Sequence, residues 1–209
     1  TVDQVIAFDA GPGNMVIDRL MELLTDGRET CDRDGATAAR GSANEELLAD
    51  LLGDDYFEAP PPKSTGRERF GRAFAEGLMA AGRSRGLSDQ DIVATATALT
   101  ARTIAAAIIR WGSSAGRGIQ VIASGGGVHN AAMMTMLRDA LPDARLAASD
   151  EFGIPADAKE ALAFAVLGYL TLNGMPGNLT GATGASERVV LGKIVPGSGK
   201  EAWNAHDHG

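Results

Sequence analysis

Short apolar runs alternate with longer amphipathic stretches along this 209-residue chain. The apolar runs predict β-strands at residues 4–9, 119–124 and 145–149. The second run is continuous and contains β-branched residues, which is typical of a strand buried on both faces of its sheet. The pattern therefore predicts three strands.

Apolar residues at helical spacing predict helices between and after these strands, over residues 14–25, 45–52, 67–82, 89–111, 130–140 and 156–173. Ser88, with Asp91 three positions later, predicts a capping box at the start of the fourth helix. The stretch 54–66 contains Pro60-Pro61-Pro62 and predicts an irregular, polyproline-like loop.

Strands separated by helices predict an α/β fold with a parallel or mixed sheet covered by helices. Three strands are few for so many helices. We therefore expect a helix-rich domain whose sheet is completed elsewhere, or further strands that the pattern does not reveal.

Composition and charge limit the classes of protein to which the chain can belong. A hydrophobic content of 44% with 22% charged residues is sufficient for a packed core. The net charge of −8 argues against non-specific nucleic-acid binding, although a local site for a small anion stays possible. The single cysteine, Cys31, excludes an internal disulfide and suits a reducing cytoplasm. No apolar run approaches about 18 residues, so no membrane-spanning helix or membrane partner is expected.

Asp9 is the first candidate functional residue. It ends the first apolar run and precedes a Gly-Pro-Gly turn, in which Gly11 and Gly13 can adopt positive φ and let a ligand approach the backbone. Asn14 is predicted to be the N-cap of the following helix, whose start favours anions. This arrangement predicts a carboxylate at the mouth of a cleft.

A second candidate site follows the strand at 119–124. Gly125, Gly126 and Gly127 form a turn that can present backbone N–H groups to a phosphate or nucleotide. The string matches neither the P-loop nor the dinucleotide fingerprint, so a plain strand-to-helix turn is an equally good interpretation.

Other polar residues leave alternatives open. Lys63 and Arg67 either bind an anion or face solvent on a structural loop. Glu160 interrupts an apolar stretch and lies either on the solvent face or against a polar ligand.

No metal site and no Ser-His-Asp hydrolase site are predicted. The chain lacks a nucleophile elbow, and His129 is better explained as a helix-start residue than as a base. Asp32 and Asp34 suit a turn with a helix cap. His206 and His208 lie in a tail where a frayed terminus is the simpler interpretation.

Several strings together resemble the anhydro-N-acetylmuramic acid kinase family. In chain order they are FDAGPGNMVID (8–18), DRDGATAARG (32–41), PPPKSTGRERFG (60–71), LTARTIAAAI (99–108), SGGGVHN (124–130), EALAFAVL (160–167) and NGMPGNLTGATGAS (173–186) with VVLG (189–192). The third and seventh strings are long and specific. Ala10 stands where the family usually has threonine, which removes a local hydroxyl contact.

The resemblance implies an RNase H-like lobe of the actin/hexokinase-type ATPase superfamily. It also implies a bacterial, cytoplasmic reaction of peptidoglycan recycling, in which ATP and water open the 1,6-anhydro bridge of anhydro-N-acetylmuramic acid. The product is N-acetylmuramic acid 6-phosphate.

By the same resemblance, Asp9 is the catalytic base that deprotonates a water molecule while O6 takes the γ-phosphoryl group. Glu160 contacts the sugar, and Mg²⁺ neutralises the phosphates. The expected ATP-binding residues are Gly11, Gly13, Asn14, Gly125, Gly126, Gly127 and Asn130.

The chain departs from the family at its beginning. The DGTS-type phosphate loop and the NIGGxAN motif of a complete member do not occur here. We therefore expect residues 1–192 to be the carboxy-terminal lobe and 193–209 a flexible tail. Such a lobe is expected to be inactive alone, with exposed sheet edges that require an amino-terminal lobe or a homo-oligomer. The alternatives are a non-catalytic sugar- or nucleotide-binding module and a purely structural fragment.

Overall fold

A computed structural model describes residues 5–112 and 118–195 of the chain. These residues form two compact units, one of residues 9–157 and one of residues 5–8 together with 158–195. We refer to them as the larger and the smaller unit. His206 and His208, and most of the predicted tail, lie outside the described residues.

The larger unit is mostly helical. Its α-helices are α1 (Met15–Leu24), α2 (Glu45–Leu52), α3 (Asp55–Glu58), α4 (Arg67–Phe70), α5 (Arg72–Ser84), α6 (Asp89–Trp111) and α7 (Ala131–Ala140). The predictions for α1, α2, α6 and α7 are confirmed to within two residues. The helix predicted over 67–82 is divided at Gly71, where a Cβ atom would lie 2.0 Å from the Arg67 carbonyl oxygen. Helix α3 falls in the stretch predicted to be irregular.

Helix α6 is the centre of the core. The predicted capping box is present, because Ser88 accepts a hydrogen bond from the Asp91 N–H and the Asp91 side chain accepts one from Ser88. By length and composition α6 is apolar enough to cross a membrane. However, 67% of its apolar window is buried inside the protein, which is the arrangement of a central core helix.

An aromatic cluster fixes the short helices α3 and α4. Phe70 is fully buried and stacks on Phe57, with ring centroids 5.7 Å apart. Tyr56 and Phe74 contact the Phe70 ring edge to face, at 5.7 and 5.2 Å. Since such pairs stabilise beyond the area that they bury, the cluster holds Tyr56 in a defined place.

Among the described residues, the sheet of the larger unit has two parallel strands, β1 (Gln120–Ala123) and β2 (Arg145–Ala148), joined through α7. Val121 pairs with Leu146, and both pack against apolar residues of α6 and α7. Ile122 on the other face is 50% exposed, so the prediction that this strand is buried on both faces was wrong. The reason is that, within the described residues, helices pack against only one face of β1.

The strand predicted at 4–9 is not found, since residues 5–9 have no strand conformation in the described part of the chain. No strand of the described residues pairs with this apolar run. Instead, the Asp9 N–H donates to the Lys63 carbonyl oxygen at 3.1 Å.

The smaller unit contains α8 (Lys159–Leu172) and α9 (Thr180–Thr183). Helix α8 confirms the helix predicted over 156–173, but none of its residues is buried. Phe164 is 74% exposed and Tyr169 61% exposed. The described chain is therefore a helix-rich α/β protein with a small open parallel sheet and an uncovered apolar helix.

Candidate active site

The carboxylate of Asp9 is exposed and is held by the loop that follows the proline triplet. Its Oδ2 atom accepts hydrogen bonds from Ser64 Oγ at 2.7 Å and from the Thr65 N–H at 2.9 Å. Within the described residues, Oδ1 has no hydrogen-bond partner. One carboxylate oxygen is thus fixed, and the other is available to accept a proton.

The backbone of Asp9 is fixed as well. Its carbonyl oxygen accepts a 2.7 Å hydrogen bond from the Tyr56 hydroxyl, and its N–H donates to Lys63. Burial and then the negative charge of Asp9 raise the pKa of Tyr56, which keeps this hydroxyl protonated and able to donate. Side chain and backbone of Asp9 therefore depend on one segment, residues 56–65.

Lys63 and Ser64, both in this segment, form structural contacts. Lys63 Nζ donates to the carbonyl oxygens of Tyr56 and Phe57 at 2.9 and 3.2 Å, at the end of α3. Burial, together with the positive charge of Arg110, lowers the pKa of Lys63. The Ser64 hydroxyl binds Asp9, and Gly66 occupies the N-cap position of α4.

Two threonines of α6 hold the turn that follows Asp9. A Cβ atom at Gly11 would lie 2.7 Å from Thr103 Oγ1, so only glycine fits there. The carbonyl oxygen of Gly13 accepts a 2.8 Å hydrogen bond from Thr100 Oγ1. Gly13 has φ of +55°, and a Cβ atom there would meet nothing within 4 Å. Both threonines belong to the string LTARTIAAAI, but no role at the site was predicted for them.

Asn14 stands at the N-cap position of α1, as the sequence predicted, but its side chain does not cap the helix. Its backbone is already helical, with φ −80° and ψ −13°, and its side chain makes no capping hydrogen bond in the part of the chain that the structure describes. Its amide instead lies beside the glycine triplet. A Cβ atom at Gly127 would be 3.4 Å from Asn14 Oδ1, and one at Gly126 would be 3.9 Å from Asn14 Nδ2. Asn14, which directly follows the first glycine turn, therefore lies beside the second one as well.

The glycine triplet is open on one side. Gly125 has φ of +83°, and a Cβ atom there would meet nothing within 4 Å. Its N–H already donates to the Ala156 carbonyl oxygen at 2.9 Å, so it is not one of the free N–H groups that the sequence predicted. Gly126 and Gly127 begin a short 3₁₀-helix ending at His129, and the first N–H groups of a helical turn lack partners within it.

Asn130, expected to line the nucleotide, is the N-cap of α7. Its Oδ1 atom accepts a 2.9 Å hydrogen bond from the Met133 N–H, and the residue is 6% exposed. Gly35 packs directly beneath it, since a Cβ atom there would lie 2.3 Å from Asn130 Oδ1. The side-chain oxygen of Asn130 therefore stabilises the helix start.

His129 Nε2 lies 3.0 Å from both carboxylate oxygens of Asp157. The hydrogen bond with Asp157 and its negative charge raise the pKa of His129, and Asp150 and Asp34 add to this effect. The pair connects the end of the glycine turn to residue 157. His129 thus lies directly before Asn130, the N-cap of α7.

A buried hydroxyl at the end of β2 escaped the sequence analysis. Ser149 is 6% exposed, and its Oγ has no hydrogen-bond partner among residues 5–112 and 118–195. Carboxyl ends of parallel strands are where open α/β sheets bind ligands, and that position is the signal that points to Ser149.

Glu160 lies in the smaller unit, near the start of α8. Its carboxylate is exposed and 3.5 Å from Lys159 Nζ. A role in contacting a sugar stays a prediction. The described residues contain no group of three or more His, Cys, Asp or Glu side chains positioned to hold a metal ion.

Comparison with known proteins gives one consistent result. The family model described as anhydro-N-acetylmuramic acid kinase matches residues 2–197. Proteins of that name from Rhodococcus erythropolis, Caldanaerobacter subterraneus subsp. tengcongensis and Salinibacter ruber are 49%, 42% and 45% identical to this chain. The alignments cover 92%, 93% and 93% of this chain, but 47%, 49% and 49% of the relatives. The chain thus spans about half the length of the curated relatives it matches.

Proposed function

The chain belongs to the anhydro-N-acetylmuramic acid kinase family, and we propose that it is the carboxy-terminal part of an ATP-dependent kinase of this kind. The proposed substrate is anhydro-N-acetylmuramic acid, and the proposed product is N-acetylmuramic acid 6-phosphate. This reaction would serve peptidoglycan recycling in the bacterial cytoplasm. The observation that carries the proposal is the carboxylate of Asp9, which has one oxygen fixed by Ser64 and Thr65 and the other available.

In the proposed reaction, Asp9 Oδ1 accepts a proton from a water molecule as the water oxygen bonds to the anomeric carbon. The bond between that carbon and O6 breaks, and O6 bonds to the γ-phosphorus while the bond to ADP breaks. The hydrogen bonds to Oδ2 keep the other oxygen directed at the water. Because the carboxylate is already held in place, less of its conformational entropy has to be lost when the transition state forms.

The nucleotide is proposed to lie against the two glycine turns beside Asn14. Positive φ at Gly13 and Gly125, and the open space beside both residues, support a close approach of phosphate oxygens to the backbone. The other proposed contacts are Gly11, Gly126, Gly127 and Asn130. Mg²⁺ would accompany the nucleotide and neutralise charge on its phosphates.

We further propose that this chain is an RNase H-like lobe that works with an amino-terminal half, and that Glu160 contacts the sugar. The exposed apolar side chains of α8 support a covering partner, since uncovered apolar surfaces of this kind mark interfaces. The chain aligns with only about half of each relative, and this also supports an amino-terminal half as the partner. The chain alone would then show no turnover.

Reconstitution tests this function. The chain is mixed or fused with the amino-terminal half of the Rhodococcus erythropolis relative and supplied with ATP, Mg²⁺ and the anhydrosugar in ¹⁸O-labelled water. We expect ADP release, phosphate on O6 and ¹⁸O at the anomeric carbon. A complex that forms but makes no phosphosugar would contradict the kinase assignment. Binding of ATP and sugar without turnover would instead support the non-catalytic module.

A further inference from the structure

A cavity of about 310 Å³ lies in the larger unit, in the segment that follows α1. Three of its lining residues are arginines, Arg28, Arg33 and Arg40, and Cys31 and Thr37 lie between them in sequence. None of the nine lining residues is among those expected to bind the nucleotide or the sugar, although Gly35 of the same loop packs against Asn130.

The three arginines differ from most others in this protein. Of the described residues, eight arginines form ion pairs with carboxylates: Arg19, Arg69, Arg72, Arg83, Arg85, Arg102, Arg110 and Arg145. In that same part of the chain, Arg28, Arg33 and Arg40 have no ion pair. Arg28 donates from Nε to the Thr25 carbonyl oxygen, which leaves its two terminal nitrogens unused. Three guanidinium groups without a carboxylate partner in the described residues thus line one cavity, although the protein as a whole is acidic.

The acidic residues of the cavity do not neutralise these groups. Asp32 is 7% exposed, and its two oxygens accept hydrogen bonds from the N–H groups of Thr37 and Ala38 at 2.7 and 3.0 Å. Glu29 is exposed and forms no ion pair within the described ranges. The carboxylate of Asp32 therefore organises the loop rather than an arginine.

The loop that carries Arg33 and Arg40 is anchored to the core. Gly35, between them, is buried against the start of α7 with φ of +71°. The two hydrogen bonds to Asp32 fix the turn that follows. The backbone is consequently set before any ligand binds, which lowers the entropy lost on binding.

We propose that this cavity binds a small phosphate-bearing anion, either inorganic phosphate or a phosphate monoester. Guanidinium groups match phosphate oxygens in charge and geometry, and each can donate two parallel hydrogen bonds. Three guanidinium groups offer more donors than the two oxygens of a carboxylate can accept, whereas a phosphate has more oxygens to offer. Because the arginines are exposed, binding weakens with rising salt concentration. The proposal does not depend on the proposed kinase function.

Cys31 provides the test, because it is the single cysteine of the sequence and it lines the cavity. Its alkylation rate by neutral iodoacetamide is measured in the full chain with rising inorganic phosphate or glucose 6-phosphate, at constant pH and constant ionic strength. We expect saturable protection of at least threefold by one of the two ligands. The ligand that protects identifies the source of the phosphate.

The double variant R33Q/R40Q should lose this protection, whereas R138Q should keep it. Arg138 is a matched control, since it is an exposed arginine on α7 without an ion pair in the described chain. Phosphorus NMR line widths of the same ligands give a second readout that does not depend on the thiol. Protection by neither ligand, or equal protection in wild type and R33Q/R40Q, would overturn the proposal.

Discussion

The hydroxyl of Ser64 donates a 2.7 Å hydrogen bond to Asp9 Oδ2, although the two residues are 55 positions apart in the chain. This contact joins the segment after the proline triplet to the turn that carries the proposed base. It explains why two distant strings that resemble the same family belong to one site. It also makes the position of Asp9 sensitive to a residue that does not itself react.

Replacing Ser64 with alanine should lower kcat of the reconstituted kinase by about ten- to a hundredfold, because a hydrogen bond to a charged group contributes about 1.5–3 kcal/mol. The KM for the anhydrosugar should change little. Ser84→Ala is the matched control, since that hydroxyl donates only to the Ala81 carbonyl oxygen on the surface of α5. Equal rates in the two variants would remove Ser64 from the site.

Gly11 tests the packing of the turn against α6. Gly11→Ala would bring a methyl group to 2.7 Å from Thr103 Oγ1 and should cost about 1–3 kcal/mol of unfolding free energy. Gly77→Ala is the control, because that glycine lies inside α5 with nothing within 4 Å, and alanine there should add about 0.5–1 kcal/mol. Urea unfolding measures both. A stabilising Gly11→Ala would contradict the described contact.

Asn14 tests whether the two glycine turns form one nucleotide site. Asn14→Asp places a negative charge beside Gly127, where phosphates are proposed to bind. Repulsion should weaken ATP binding by about tenfold, which corresponds to about 1.4 kcal/mol. Asn173→Asp, on an exposed residue at the end of α8, should leave binding unchanged in the same calorimetric titration. Unaltered ATP affinity in Asn14→Asp would place the nucleotide elsewhere.

The contact between His129 and Asp157 predicts a pH dependence of stability. Because Asp157, with smaller contributions from Asp150 and Asp34, raises the pKa of His129 above 6.5, folding favours the protonated ring. Its stabilising contribution is complete below the unfolded pKa and is lost as the pH rises through the folded pKa.

The test measures the urea concentration at the midpoint of unfolding for the wild type and for His129→Gln, at about pH 5.5 and at about pH 9. The wild-type advantage should shrink at the higher pH. In an Asp157→Asn background, the same histidine substitution should show little pH dependence. An advantage that grows with pH would contradict the assignment.

The sequence predicted the long helices well, because their signals are local. Ser88 and Asp91 form the expected capping box, and the apolar spacing of α6 persists over 23 residues. The prediction of a strand at 4–9 was wrong because a strand requires a neighbouring strand to pair with, and the described residues provide none. Helix α3 was missed because it is four residues long and is held by the aromatic cluster around Phe70 rather than by its own periodicity.

For the candidate site too, the sequence predicted the local features but not the contacts between distant residues. The acid and the glycine turns were predicted because they stand in recognisable local strings. The bond from Ser64, the threonines beneath Gly11 and Gly13, and the position of Asn14 against Gly127 were not predicted. Each of these contacts joins residues that are far apart in the chain, and no single-sequence pattern encodes such a distance.

The central claim is that Asp9 accepts the proton of the attacking water. The most direct measurement is the single-turnover rate of phosphosugar formation by reconstituted Asp9→Asn, with ATP and sugar affinities measured on the same protein. Since a general base contributes about 10²–10⁴-fold, the rate should fall by at least about a hundredfold while both affinities change by less than about threefold. A variant that keeps a rate within about fivefold of wild type would contradict the claim.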